Sequence, residues 1–419
     1  MDYESGQNID WRHKGFPTTN FSRPVPSSQQ SWNVLAGDFQ LPLLVIKESA
    51  VNHNLDVVHG FCKKFGFSIA PHGKTTMSPE LIGMQLKAGS WAITAATVSQ
   101  AKILREFGVP RILIASQVVE PSSIQWLTAQ LHDDQFEIIC LVDSAEAVNL
   151  MDRALSTLDP AKKIKVLLEL GILGGRTGCR SKDDVSLTAI AIRNSKHLVL
   201  AGIETYEGVA HYDTEGMATV DALLESLFAT AADLDQIGYF DDQPEIILSA
   251  GGSVFPDRVA LKLSQKWTGT RPIRIVLRSG CYITHDHGFY DRVGPFGTRI
   301  ESNALQPALE VWGAVISTPE EGLALLNFGK RDVSYDIDLP KALHILPRGS
   351  NQLKPADGIE IFELNDQHAY ARIAQGVSLE IGDLVAVGIS HPCTAFDKWR
   401  SIPMVDDEYN LKSIVTTFF

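Results

Sequence analysis

The chain has 419 residues, 44% of them hydrophobic and 21% charged, which excludes a disordered chain and is long enough for two domains or one large barrel with an addition. Lys and Arg number 37 against 50 Asp and Glu, a net charge of −13, which excludes a general nucleic-acid binder because phosphate neutralisation needs a basic face. No apolar run reaches the roughly 20 residues that span a bilayer, and the start (Met1, Asp2, Tyr3, Glu4, Ser5) has no basic or apolar signal pattern. Neither a membrane protein nor a secreted disulfide scaffold is therefore expected.

The first 40 residues are polar and irregular, with Pro17, Pro24 and Pro26, and read as an N-terminal arm, free or joined to a later β domain. From about residue 66 short apolar runs alternate with helical stretches. The runs are Ser68–Pro71, Ala92–Ala95, Arg111–Ala115, Glu137–Val142, Lys163–Leu170, Leu198–Ile203, Glu245–Ser249 and Arg274–Leu277. Ser78–Ala88, Ser99–Phe107, Ala145–Leu158 and Met217–Ile237 read as helices. Ser78 before Pro79 and Glu80 is a helix start, and Asp143-Ser144 before Ala145 is another. Strands alternating with helices imply parallel pairing, and eight of them close a β/α barrel, although an open doubly wound sheet fits the alternation too.

After about residue 296 the rhythm changes. Leu309–Ile316, Ala369–Ala374 and Leu384–Gly388 are strand-like, turn residues are frequent, and only Glu320–Phe328 carries a short helical pattern. The expected division is 1–40, a barrel over 41–295 and a β-rich domain over 296–419. The five cysteines, Cys62, Cys140, Cys179, Cys281 and Cys393, are odd in number and contain no C-x-x-C pair. That pattern predicts free thiols in a reducing compartment, the cytoplasm by default.

Five segments carry chemistry. Lys74, in Pro71-His72-Gly73-Lys74-Thr75, falls just past the first barrel strand, on the face where barrels place their sites. A partly desolvated amine there is a nucleophile; from position alone a surface lysine is the commoner reading. Arg176, in the Gly-rich stretch Gly171–Gly178, is placed to meet an anionic oxygen or to sit in solvent. Ser249–Ser253 and Arg278–Tyr282 follow the seventh and eighth strands, and two adjacent loops of small residues suit a phosphate. His391 and Cys393, two apart, project to one side of a strand and are zinc-type donors, with His368 a candidate neighbour. An isolated His-x-Cys is otherwise a buried histidine and an inert thiol.

In this order, these segments resemble the fold-type III pyridoxal-phosphate enzymes, the alanine-racemase-like barrels, and among them the D-serine dehydratase and D-threonine aldolase family. Pro71-His72-Gly73-Lys74-Thr75 is similar to that family's P-H-x-K-T motif, with Ala70, Thr76 and Met77 departing from the commoner form. The resemblance runs from about Leu41 to Trp399. It implies an α/β fold, a (β/α)8 TIM-like barrel of alanine-racemase type with a C-terminal β-rich domain. It implies that Lys74 holds pyridoxal 5'-phosphate, that Arg176 lies near its phenolic oxygen and that Tyr206 contacts its ring. It assigns the phosphate to Ser249, Gly251, Gly252, Gly280 and Cys281, and a divalent metal, zinc because of the thiolate, to His391 and Cys393.

The implied activity is a lyase reaction on a β-hydroxy D-amino acid such as D-serine. Loss of the β-hydroxyl gives a keto acid and ammonia; the alternative, an aldolase, gives glycine and an aldehyde. Arg278, His285, His287, Arg331 and Arg372 are candidates to meet a second substrate carboxylate. A racemase would need a second base, for which Tyr335 and Tyr370 are available. The resemblance further implies a homodimer, with no nucleic acid and no membrane as partners.

Overall fold

A computed structural model of the chain describes residues 9–17, 32–158, 160 and 162–419. Much of the arm, including Pro24 and Pro26, lies outside the described residues. The first strand, β1 (Leu43–Lys47), leads into helix α1 (Glu48–Phe65). Eight parallel strands then form one sheet: β2 (Ser68–Ile69), β3 (Ile93–Ala95), β4 (Arg111–Gln117), β5 (Glu137–Val142), β6 (Ile164–Leu170), β7 (Leu198–Thr205), β8 (Ile246–Ser249) and β9 (Ile273–Leu277). Their order is β2-β9-β8-β7-β6-β5-β4-β3. The ring closes between its ends through the Trp91 and Thr94 N–H groups, each 2.8 Å from the carbonyls of Ile69 and Pro71. The barrel is therefore closed, not an open doubly wound sheet.

Seven helices cover the barrel after its strands: α2 (Pro79–Lys87), α3 (Val98–Glu106), α4 (Pro121–Gln130), α5 (Ala145–Ser156), α6 (Lys182–Asn194), α7 (Thr214–Gln236) and α8 (Pro256–Leu263). The two expected starts are capped: the Ser78 hydroxyl accepts from Leu81 N–H at 3.4 Å and that of Ser144 from Ala147 N–H at 3.2 Å. Inside the ring, Ala70, Leu113, Ile139, Leu141, Leu167, Ala201, Ile247 and Val276 form a separate apolar cluster, so the barrel is packed rather than hollow. No helix among the described residues is long and apolar enough to cross a membrane.

A short helix, α9 (Phe289–Val293), leads to the second domain. Its strands are β10 (Leu309–Glu320), β11 (Leu323–Leu326), β12 (Lys341–Leu346), β13 (Lys354–Pro355), β14 (Ile359–Leu364), β15 (Ala369–Ile373), β16 (Leu384–Gly388), β17 (Ser401–Val405) and β18 (Leu411–Thr416), with α10 (Cys393–Phe396) before β17. The main order is β13-β12-β16-β10-β1-β17-β18. β1 thus belongs to this sheet, antiparallel to β10 and parallel to β17, so the domain begins before the barrel rather than at 296. Ile9, Phe16, Val34 and Phe39 of the arm pack with Trp312 and Tyr409 in its core.

The expected helix at Glu320–Phe328 is instead the β10–β11 hairpin. Gly322 takes φ +78 at the turn, a left-handed backbone that breaks a helix and suits a glycine. Beyond it, burial alternates along Leu323–Leu326, the period of a strand.

Candidate active site

Lys74 lies in a 3-10 turn, Gly73–Thr75, that β2 delivers to the C-terminal mouth of the barrel. Its side chain is exposed, contrary to the expectation of partial desolvation. Gly280 allows the β9 loop to lie against this turn: a Cβ there would stand 2.7 Å from the His72 carbonyl oxygen and 2.8 Å from Thr75 Oγ1. The His72 Nδ1 is buried without a partner. Burial first, then the cations Lys74, Arg278 and Arg176, push the imidazole well below its usual pKa, so it is neutral.

Arg176 is carried by the loop after β6 and lays its guanidinium over the Tyr206 ring, 4.5 Å from the centroid. Glu169 anchors that loop, accepting from Thr177 Oγ1 at 2.7 Å and from the Gln117 amide. The loops after β8 and β9 are stitched together. Arg278 N–H donates to the Gly251 carbonyl at 2.9 Å, and Ser279 Oγ to that of Gly252 at 2.8 Å.

The five residues assigned to a phosphate are differently engaged. Gly251 and Gly252 direct their N–H groups to the buried Glu207 carboxylate, the first at 3.2 Å. Ser249 is fully buried and donates to the Val276 carbonyl at 3.3 Å. The Cys281 thiol faces Cys393, and only Gly280 keeps the loop role outlined above. Sequence reasoning missed Glu207, although it stands directly after Tyr206.

Arg278 is buried and bonds the Thr205 carbonyl at 2.8 Å, and its Nη2 is 2.5 Å from Glu204 Oε2. Its Nε has no partner. Burial raises the Glu204 carboxyl to about 7 against the pull of Arg278, with Glu169 adding to the rise. An unfolded glutamate titrates near ~4.3. The folded chain therefore holds this proton more tightly, and the stability it contributes is full below ~4.3 and lost as pH rises through about 7. Thermal unfolding followed from pH 4 to 8 should show a fall of about 3 kcal/mol from this group, absent in Glu204→Gln. Equal slopes in the two proteins would refute the assignment.

His391 and Cys393 do not share a strand. Pro392 cannot extend a sheet ladder, and the chain turns there into α10 with His391 at φ +66. The turn is held by buried Asp286, whose carboxylate accepts from the N–H groups of His391 at 2.8 Å, Tyr290 at 2.9 Å and Gly288 at 3.0 Å. His391 Nδ1 lies 2.5 Å from Asp336 Oδ2, and Thr394 Oγ1 donates to Asp336 Oδ1 at 2.7 Å. Burial opposes ionisation of Asp336, but the bonds from Thr394 and His391 outweigh it and hold its pKa low.

The Cys393 thiol lies 3.5 Å from Thr75 Oγ1, the neighbour of Lys74, and 3.4 Å from Cys281 Sγ. Cys281 is the thiol favoured for ionisation, to about 6, chiefly through its bond with Cys393, while burial opposes. The hydroxyl of Tyr290 also bonds Cys281, and burial raises the pKa of that phenol. All five cysteines are free thiols.

Other candidates fall elsewhere. Arg331 and Arg372 are exposed and pair with Asp366 and Glu360, and His368 is an exposed residue of the β14–β15 turn. His285 and His287 are largely buried, and burial pushes the pKa of His287 down to about 3. Tyr370 bonds Asn365 in the hairpin, whereas Tyr335 is exposed beside Asp336.

The arrangement fits a pyridoxal-type cofactor. It offers a reachable primary amine, a cation stacked on a tyrosine, and two buried polar nitrogens, His72 Nδ1 and Arg278 Nε, without partners. It also fits a divalent metal. A histidine that binds a metal through one nitrogen commonly gives the other to a carboxylate, as His391 does with Asp336. Among the described residues no three His, Cys, Asp or Glu side chains already stand at metal-holding spacing.

Known proteins resemble this chain in sequence and fold. A family model described as "Alanine racemase, N-terminal domain" matches residues 46–253. Another, described as "Putative serine dehydratase domain", matches residues 308–405. A 3-hydroxy-D-aspartate aldolase of Paracoccus denitrificans (strain Pd 1222) is 24% identical over 358 residues, covering 84% of this chain and 85% of that one. The D-threonine aldolase from Filomicrobium marinum superposes with a TM-score of 0.72 at 20% identity, covering 91% of this chain and 95% of its own. D-threo-3-hydroxyaspartate dehydratase from Delftia sp. HT23 gives 0.71 at 19% identity, covering 92% and 99%. These structures share the fold of this chain.

Proposed function

Because the chain belongs to the fold-type III pyridoxal-phosphate enzymes, with the alanine-racemase-like barrel and a C-terminal mixed β domain, we propose that it is a metal-dependent lyase of β-hydroxy D-amino acids, a dehydratase releasing a keto acid and ammonia. One observation carries the reading: Thr75 Oγ1 is 3.5 Å from Cys393 Sγ, so the Lys74 turn and the helix of the metal pair open on the same mouth.

Bound pyridoxal phosphate supplies an electron sink for negative charge developing at the substrate Cα. Lys74 holds the cofactor and then serves as the base that takes the Cα proton. Arg176, fixed over the Tyr206 ring, would meet the cofactor's phenolic oxygen, and Tyr206 would contact its ring. Arg278 and Glu204 place a buried cation and a titratable carboxyl at the barrel mouth. His391 and Cys393 would hold the divalent ion, which would supply Lewis acidity toward a substrate β-hydroxyl. The thiolate favours zinc over harder ions. The same reading takes the working form as a cytoplasmic homodimer, to be checked by sedimentation equilibrium.

The aldolase alternative is favoured by the name of the Paracoccus relative, a 3-hydroxy-D-aspartate aldolase. The reactions differ in the proton removed, that on Cα for the dehydratase and that on the β-hydroxyl for the aldolase. The deciding experiment incubates the protein with pyridoxal phosphate, zinc and, separately, D-serine, D-threonine and D-3-hydroxyaspartate. Ammonia with a keto acid supports the dehydratase; glycine with an aldehyde refutes it in favour of the aldolase.

Asp336 tests the metal pair without touching a ligand atom. Asp336→Asn is expected to weaken zinc retention about 10- to 100-fold by releasing the His391 ring, with cofactor binding unchanged. Metal content after gel filtration measures the first and visible absorbance of the bound cofactor the second. Undiminished zinc retention would contradict the role.

A further inference from the structure

We propose that Cys281 is a second thiolate ligand of the divalent ion, paired with Cys393, so that the site takes a thiophilic ion. The inference rests on the reading that His391 and Cys393 bind a metal. Cys281 and Cys393 are separated by 112 positions and come from different domains, yet their sulfurs lie 3.4 Å apart. Two thiolates on one tetrahedral zinc, each with a bond of ~2.3 Å, stand roughly 3.7 Å apart. The observed pair needs only a few tenths of an ångström of opening.

The environment points the same way. Cys281 follows the Gly280 loop, but its buried side chain is directed to Cys393 and to Thr75 Oγ1 at 3.9 Å rather than to the Gly251–Gly252 loop. His391 gives Nδ1 to Asp336, which leaves Nε2 as its donor nitrogen. The imidazole does not yet stand at metal-holding spacing with the two sulfurs, so it must close on them; the protein then offers two sulfurs and one imidazole, and the fourth tetrahedral position stays open to substrate. Two thiolates also cancel the charge of a divalent ion. Such a set selects Zn2+, Co2+ or Cd2+ over Mg2+ or Mn2+.

Cobalt reads the number of sulfurs directly. The holoenzyme is stripped of metal, reloaded with Co2+, and its sulfur-to-cobalt charge-transfer band recorded. Cys281→Ser and Cys393→Ser are each expected to lower the band per bound cobalt by about half, and the double variant to abolish it. Metal-loaded wild type should also protect both thiols from alkylation. A full-strength band in Cys281→Ser, with loss in Cys393→Ser, would overturn the second thiolate while leaving the His391–Cys393 reading intact. No sulfur band in the wild type would overturn both. A Cys281–Cys393 disulfide found by peptide mapping of zinc-supplemented protein would also overturn the proposal.

Discussion

Replacing Lys74 with alanine is expected to reduce turnover by about a thousandfold or more, because one amine is asked both to hold the cofactor and to move the Cα proton. Lys74→Arg should be as inactive. It keeps the positive charge, but a guanidinium is neither a usable base nor a carbonyl nucleophile near neutral pH. Both variants should fold normally. The Lys74 side chain is exposed, and substitutions at exposed positions usually move stability by no more than about 0.5 kcal/mol. Rapid-mixing assays with D-serine measure the loss, borohydride trapping checks the covalent link to cofactor, and thermal unfolding checks the fold. Lys74→Arg retaining substantial turnover would remove Lys74 from the chemistry and leave it a surface cation.

The barrel was legible because its strands are buried and interrupted by amphipathic helices. Glu137–Val142 is found at the predicted bounds and the other barrel strands differ by a few residues at their ends, while in the second domain Leu384–Gly388 also matches. Helix α1 was passed over, although Val51, Leu55, Val58, Phe61 and Cys62 recur on one buried face and would have revealed it. The helical reading of Glu320–Phe328 gave too little weight to Gly322, whose positive φ makes the turn.

Within the site, local motifs brought Lys74, Arg176 and the β8 and β9 loops to one mouth. The groups that fix them were not legible, because each acts on a distant partner. Glu207 reaches Gly251, Asp286 reaches His391, and Asp336 reaches His391, the last two across 105 and 55 positions. No local pattern distinguishes such a carboxylate from a solvated one. The geometry of His391 and Cys393 was misjudged for a related reason. Spacing alone suggested a strand, whereas Pro392 and the bonds to Asp286 impose a turn.

Stripping the divalent ion with a chelator is expected to reduce turnover by roughly 10²- to 10³-fold while leaving the cofactor bound. A Lewis acid at a departing oxygen is worth several kcal/mol, which converts to that factor in rate. Zinc should restore activity to the stripped protein, and magnesium should not, because a thiolate at Cys393 favours the softer ion. His391→Ala should reproduce the stripped state and resist rescue. The Asp286 cradle accepts the His391 backbone N–H rather than its ring, so the turn persists in that variant and the loss reports on the imidazole itself. A purely structural ion would behave differently. Its removal would lower the unfolding midpoint in step with activity, whereas a catalytic ion on the half-buried rim formed by His391 and Cys393 changes rate far more than stability. Chelator-treated protein that keeps its full turnover would show that the site works without an ion, and the facing thiols would then need another explanation.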